Sequence, residues 1–283
     1  MESEKYIVAF IDILAFKNLV SESEKEPIIF NNINNALEQF YRLTKREAWQ
    51  EAQILMQVEE CAQVKNLEDF YVDGIAHTIC FSDSIIITIK AEDKLNERLS
   101  ALIAQISKIG SNLFLKNILI RGAISYGDLH LIADKNICFG EALIKAYELE
   151  SEKSIYPRII LSKSILNKLN YPVTKRNRMP YHQYIERLDD GLTGFSPIIF
   201  YQVMQNAPDI ISKDNLESDL SIIRKNIIKN LDESIEDSNY FAKHNWLKKY
   251  YNQLTISNCE FNKIEPIIRP GVTQDVFYKD KCN

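Results

Sequence analysis

The chain has 283 residues, 46% of them hydrophobic, five cysteines, four histidines and a formal charge of −5. That is enough apolar material for a substantial core, and the length predicts one domain of about 200 residues with an appendage. The acidic balance argues against a nucleic-acid polymer as the main ligand. Cys61, Cys80, Cys138, Cys259 and Cys282 are scattered with no C-x-x-C spacing, so unpaired, mostly buried thiols are expected rather than a zinc site or a disulfide framework. With no long apolar run and no signal-peptide pattern, the expectation is a cytoplasmic protein with neither a membrane span nor a secretory signal.

Tyr6 to Ile13 is a short apolar run rich in β-branched and aromatic residues, bounded by charge, which predicts a buried strand. Asp12 interrupts it. A carboxylate there costs several kcal/mol unless it meets a cation or good donors, leaving two readings: a metal ligand, or an acceptor for the amides of the next helix. That helix is predicted over Glu26 to Val64, where Ile29, Ile33, Leu37, Phe40 and Leu43 recur at spacings of three and four. Trp49 to Phe70 is a polar, amphipathic insertion whose role is not legible. His77 to Phe81 and Ile85 to Ile89 flank Ser82-Asp83-Ser84, the pattern of a hairpin with an acid at its tip. Turn chemistry explains an aspartate there as readily as function does. Together, though, Asp12 and Asp83 form a pair of strand-end carboxylates able to hold a hard divalent cation against phosphate oxygens.

Asp93 to Leu115 is helix-periodic, its Leu95, Leu99, Leu102, Ile106, Ile109 and Leu113 facing a sheet. Asn117 to Tyr126 reads as a strand in which Gly122 marks a bulge or a close backbone approach. Gly127-Asp128 reads as a turn, and Leu129 to Cys138 as the returning arm. Arg121, in so apolar a strand, has to find anions, either neighbouring acids or a substrate phosphate, the former favoured. A helix is predicted from Gly140 to Glu150, a strand from Pro157 to Ser162, and a short helix capped by Ser162 and ending near Asn170. Tyr184 to Leu188 and Ile198 to Met204 read as a closing strand pair around Asp190-Gly191. Residues 1–206 are thus expected to form the main domain and 207–283 a helical appendage, with apolar stripes through Leu216, Leu220, Ile223, Ile227, Leu231, Trp246, Leu247 and Tyr250 and a poorly structured tail from Glu260.

Four segments carry a resemblance. Phe10-Ile11-Asp12-Ile13-Leu14-Ala15-Phe16-Lys17, Phe81-Ser82-Asp83-Ser84-Ile85, Arg121-Gly122-Ala123-Ile124-Ser125-Tyr126-Gly127-Asp128 and the stretch from Phe139-Gly140 to Leu149-Glu150 resemble, in order and spacing, the motifs of the class III nucleotidyl cyclases. The closer likeness is to the pyrimidine cyclases of the bacterial Pycsar anti-phage system, with their F-I-D-I-L-G-F, F-S-D-S-I, R-G-x-I-S-x-G and F-G-x-A-L-x-x-A-Y-x-L-E segments followed by Y-P-R-I, here Tyr156-Pro157-Arg158-Ile159.

The resemblance implies an α+β fold with a ferredoxin-like, palm-type antiparallel sheet and flanking helices. It implies two Mn²⁺ or Mg²⁺ ions held by Asp12, Asp83 and the carbonyl of Ile13, with Phe10, Phe16, Lys17, Arg121 and Lys145 around the nucleotide. It further implies a homodimer with sites at the interface and conversion of UTP to cyclic UMP and pyrophosphate, as a signal in phage defence to a separate effector. CTP to cyclic CMP is the alternative substrate, and a catalytically degenerate nucleotide sensor the alternative role. Departures are plain. Where purine cyclases carry an Asn and an Arg on the last helix this chain has Ile144 and Glu148, so Lys145, Arg121 or Arg158 has to supply the cation. Where they read the purine base with Lys and Asp it has Ile79 and Ile137. Lys17 follows Ala15-Phe16 where the family has Gly-Phe-Thr. The G-G-D/E-E-F signature of diguanylate-type cyclases is absent.

Overall fold

The computed structural model describes residues 4–45, 47–49, 76–91, 94–169, 180–205, 210–234, 236–256 and 266–267. The chain divides into two compact units, Met1–Asn206 and Ala207–Asn283.

The first unit is α+β, built on a mixed, open sheet. Its strands are β1 (Glu4–Ile13), β2 (Ala76–Phe81), β3 (Ser84–Lys90), β4 (Ile120–Ile132), β5 (Ile137–Phe139), β6 (Ile159–Leu161), β7 (Glu186–Arg187) and β8 (Thr193–Phe195). They run in the order β2-β3-β1-β4-β6-β8-β7, with β5 pairing the far end of β4. The expected antiparallel sheet is corrected in one place, because β4 and β6 are parallel through Gly122↔Ile159 to Ile124↔Leu161. The reason lies in the connection: the helix between them crosses over the sheet, and a crossover returns the chain in the same direction.

β1 is the centre. Ile7, Ala9 and Ile11 are fully buried and Ile13 nearly so, and each such isoleucine contributes about 2 kcal/mol of burial. Period-two alternation sends Tyr6, Val8, Phe10 and Asp12 to the other face. Pairing with β4 runs unbroken from Glu4↔Leu129 to Ile13↔Ile120, so Gly122 is a close approach and not a bulge: a Cβ there would lie 2.5 Å from the Phe10 carbonyl oxygen.

The helices are α1 (Phe16–Ser23), α2 (Pro27–Tyr41), α3 (Leu95–Leu115), α4 (Glu141–Lys153), α5 (Lys163–Lys168) and α6 (Ile199–Met204). α2 ends at Tyr41 and tightens into a 3₁₀ turn, Arg42–Thr44, where a helix was expected to run on. Trp49, buried, donates its indole N–H to the Leu43 carbonyl at 2.8 Å, and the remainder of the expected helix and most of the insertion lie outside the described residues. α3 packs on the Ile13 face: a Cβ at Gly110 would meet Ile120 Cδ1 at 2.9 Å and Pro197 at 2.5 Å. α4 covers the opposite face, setting Ala142 and Ala146 on Tyr6, Val8 and Leu129.

Three further expectations are corrected. β4 runs through Gly127-Asp128 to Ile132 instead of turning, because Tyr6↔Gly127, Lys5↔Asp128 and Glu4↔Leu129 extend the ladder and Lys5 Nζ meets Asp128 at 2.7 Å. The turn falls at Ala133–Asn136 and β5 alone is the returning arm. Ile199–Met204 is helix and not strand, with Ile198 at its N-cap; the closing strands are β7 and β8. A short run apolar on every side suits a buried helix as well as a buried strand, and only packing decides. Cys80 is exposed and Cys138 half-buried, both free thiols, so the expectation of buried cysteines fails at Cys80.

The second unit is a helical hairpin of α7 (Lys213–Glu233) and α8 (Ser238–Ile256). Leu216, Leu220, Ile223, Ile227 and Leu231 are buried with Leu247, Tyr250, Tyr251 and Leu254. Of the tail from Glu260, only Pro266 and Ile267 are described, and Ile267 is held by Asn252 through two hydrogen bonds of 2.8 Å. No described helix is long and apolar enough to cross a membrane.

Candidate functional site

The β1–β3 ladder ends at Asp12↔Ser84, which sets the β2–β3 turn beside the end of β1. Ser82 turns the chain with φ 57°, and the Asp83 carbonyl accepts from the Ile13 amide at 3.1 Å. The sequence separation of Asp12 and Asp83 thus closes to side-chain contact, and the two carboxyls act on one another. Asp12 is raised above the ordinary carboxylate range, by burial first and by Asp83 besides, against the downward pull of Arg121.

Arg121 arrives from the other neighbour of β1, directly across from Asp12. Its Nε–H donates to Asp12 Oδ2 at 3.1 Å. The same nitrogen lies 2.7 Å from Glu150 Oε1, yet that oxygen is buried with no hydrogen bond of its own, because the single Nε proton is aimed at Asp12. The Glu150 side chain is 3% exposed and its pKa is pushed up to about 7 by burial, with Arg121 pulling the other way. Glu150 is the member of this cluster that the sequence had not singled out. Its signal was present: Ala142, Ala146 and Glu150 recur at i+4 on one helix face, so the acid continues a buried stripe.

The other expected residues are placed as follows. Phe10 lies on the same sheet face as Asp12, edge-on to Tyr147 at 5.4 Å between ring centroids, packed under α4. Phe16 and Lys17 open α1, Phe16 half-buried and Lys17 exposed, where the first amides of a helix face an anion favourably. Ala15 takes the left-handed conformation, φ 57°, a place that glycine suits better. Lys145 is not gathered with the acids: it pairs with Glu141 on its own helix and lines a cavity of about 520 Å³ with Glu148, Ser162 and Lys163. Arg158 is buried and committed to Asp190, at 2.5 Å, and to the Lys153 carbonyl. Ile144 is 56% exposed. Ile79 lines a cavity of about 440 Å³ with His77, Thr78, Cys80 and Asn136, and His77 Nε2 meets Asn136 Oδ1 at 3.1 Å, while Ile137 is exposed.

Among the described residues no three His, Cys, Asp or Glu side chains gather as a metal cage. Two adjoining carboxylates with a strand-end carbonyl nearby are a smaller, all-oxygen set, of the kind that holds Mg²⁺ or Mn²⁺ with water completing the coordination and substrate phosphates replacing water when nucleotide is bound. Asp12 and Asp83 fit it: Asp83 raises the cost of charge on Asp12, and a divalent cation relieves it. Neither protein-family models nor curated proteins match this chain.

Proposed function

We propose that the chain is a metal-dependent nucleotidyl cyclase of the pyrimidine type, converting UTP, or failing that CTP, to the cyclic monophosphate and pyrophosphate. The observation that carries this reading is the meeting of Asp12 and Asp83 at adjoining strand ends, beside the start of α1. The order β2-β3-β1-β4, with α1 and α2 between β1 and β2 and α3 between β3 and β4, supports a ferredoxin-like, palm-type catalytic unit.

Asp12, Asp83 and the Ile13 carbonyl would hold two Mn²⁺ or Mg²⁺ ions, which supply Lewis-acid activation of the ribose 3′-oxygen and charge neutralisation on the triphosphate. The chain's own residues position the rest. The amides of Phe16 and Lys17 with the Lys17 ammonium receive phosphate oxygens, and Arg121 pairs with Asp12 in the metal-free site. Ile79 and Ile137 leave a purine edge without partners, which favours the smaller base.

Phe81, Ile137, Phe139, Ile144 and Tyr147 are exposed by 45% or more. Such apolar exposure supports a homodimer that completes its sites across the interface. A cytoplasmic signal in phage defence, read by a separate effector, is the role proposed with it.

The test incubates the intact protein with each of the four nucleoside triphosphates and Mn²⁺ and identifies products by mass spectrometry. Cyclic UMP is expected, with kcat/KM for UTP or CTP exceeding that for ATP and GTP by at least about tenfold, roughly 1.4 kcal/mol. Preference for ATP overturns the pyrimidine assignment. Nucleotide binding without any cyclic product points to a degenerate sensor, the reading that Ile144 and Glu148 favour.

A further inference from the structure

Arg121 is one guanidinium between two carboxylates that differ in freedom. Asp12 stands at a strand end with its side chain 15% exposed, whereas Glu150 is 3% exposed on α4. Nε carries one proton, given to Asp12 at 3.1 Å, while Glu150 Oε1 waits 2.7 Å from the same nitrogen with no hydrogen bond made. A buried carboxylate oxygen without a donor is costly, so a small rotation of the guanidinium trades one satisfied acceptor for the other. Glu150 cannot follow Arg121 into solvent and cannot find another cation among its described neighbours. It is a fixed acceptor behind a shared guanidinium.

We propose that Glu150 is a positioning residue for the cation site: it draws the Arg121 guanidinium partly off Asp12, and so sets how readily Asp12 accepts a divalent ion. This rests on the proposed metal role of Asp12. When a cation arrives, the guanidinium is displaced towards Glu150, where an acceptor is already in place. Without Glu150 the only carboxylate beside Arg121 in this cluster is Asp12, and the guanidinium competes with the metal for it. Groups that orient a metal ligand from behind commonly change metal affinity by about ten- to a hundredfold when removed.

The experiment is a Mn²⁺ titration of the intact protein without nucleotide, read by the electron paramagnetic resonance of free Mn²⁺. It is run on the parent, Glu150→Gln, Arg121→Gln and the double variant. Glu150→Gln is expected to weaken Mn²⁺ binding about tenfold or more, yet to change it by less than about twofold once Arg121 is already Gln. A purely long-range charge effect would weaken binding equally in both backgrounds, and that result overturns the proposal, as does an unchanged affinity in Glu150→Gln. Should Glu150→Gln not fold, Arg121→Gln alone decides. It is expected to bind Mn²⁺ at least as tightly as the parent, and a loss of about tenfold would overturn the idea. A parent protein that binds no Mn²⁺ fails differently, since it removes the metal reading of Asp12 and Asp83 along with the inference.

Discussion

The two units bury their polar groups in contrasting ways. The first holds ionisable side chains, Asp12, Arg121 and Glu150, against an apolar sheet, sharing one guanidinium between two acids. The second buries an amide and an imidazole, Asn230 and His244, 3.4 Å apart, with the Tyr240 ring packed on His244 at 4.3 Å between centroids. His244 has its pKa lowered to about 4, by burial first and by Lys243 besides, so it is neutral at pH 7. Neutral pairs close a helical hairpin at little cost, whereas charges kept inside a sheet oppose its stability. Glu217, also buried, is the exception in the second unit, and the shared guanidinium in the first is in keeping with the function proposed at the end of β1.

The largest expected effect separates activity from stability. Asp12→Asn or Asp83→Asn should lower turnover by at least about a thousandfold, roughly 4 kcal/mol of barrier, while the metal-free melting temperature stays level or rises because the carboxylate repulsion is relieved. Turnover above a few per cent of the parent in either variant would break the assignment of both acids to the metal.

Next in size is Gly122→Ala. With a Cβ 2.5 Å from the Phe10 carbonyl oxygen, β1 and β4 have to part, at a cost of about 3 kcal/mol. Urea unfolding should show the first unit's transition moving to lower denaturant and the second's standing still.

The pH dependence should run in opposite directions in the two units. His244, lowered from 6.5 to about 4, contributes stability that is fully present above pH 6.5 and is lost as pH falls through 4, on the order of 3 kcal/mol in all. Glu150 is raised from 4.5 to about 7, so its contribution is present below pH 4.5 and is lost as pH rises through 7. Calorimetric scans between pH 4.5 and 7 should therefore weaken the hairpin and strengthen the sheet unit on acidification. His244→Gln should flatten the first trend and Glu150→Gln the second.

The smallest effect is a gain. Ala15→Gly relieves the left-handed conformation at φ 57° and should raise stability by about 1 kcal/mol, read as a melting shift of a few degrees. Loss of stability would mean that Ala15 packs in a way its backbone conformation does not reveal.

Much of this was legible along the chain. β1, the β2–β3 hairpin with Asp83 in its turn, the α3 stripe, the Ser162 cap and the two-helix character of the appendage are local matters, since period-two and period-3.6 patterns with turn residues report on a segment by itself. Gly122 announced a bulge or a close approach, and the unbroken ladder decided for the second. Asp12 stood out because a carboxylate inside an apolar run is expensive wherever it sits, and Asp83, an ordinary turn residue by itself, gained weight only as its possible partner. What the amino-acid order determined, then, was which segments bury which faces and where charge would need a partner. Only the tertiary structure decided who the partners are. The register Asp12↔Ser84 and Asp12↔Arg121 aligned three strands, and α4 carried Glu150 over the sheet to the same guanidinium. The ladder to β1 overrode a local turn at Gly127-Asp128, and packing made Ile199–Met204 a helix. Pairing between distant strands depends on contacts whose strength no single segment contains, which is why local preference yields there and nowhere else as plainly.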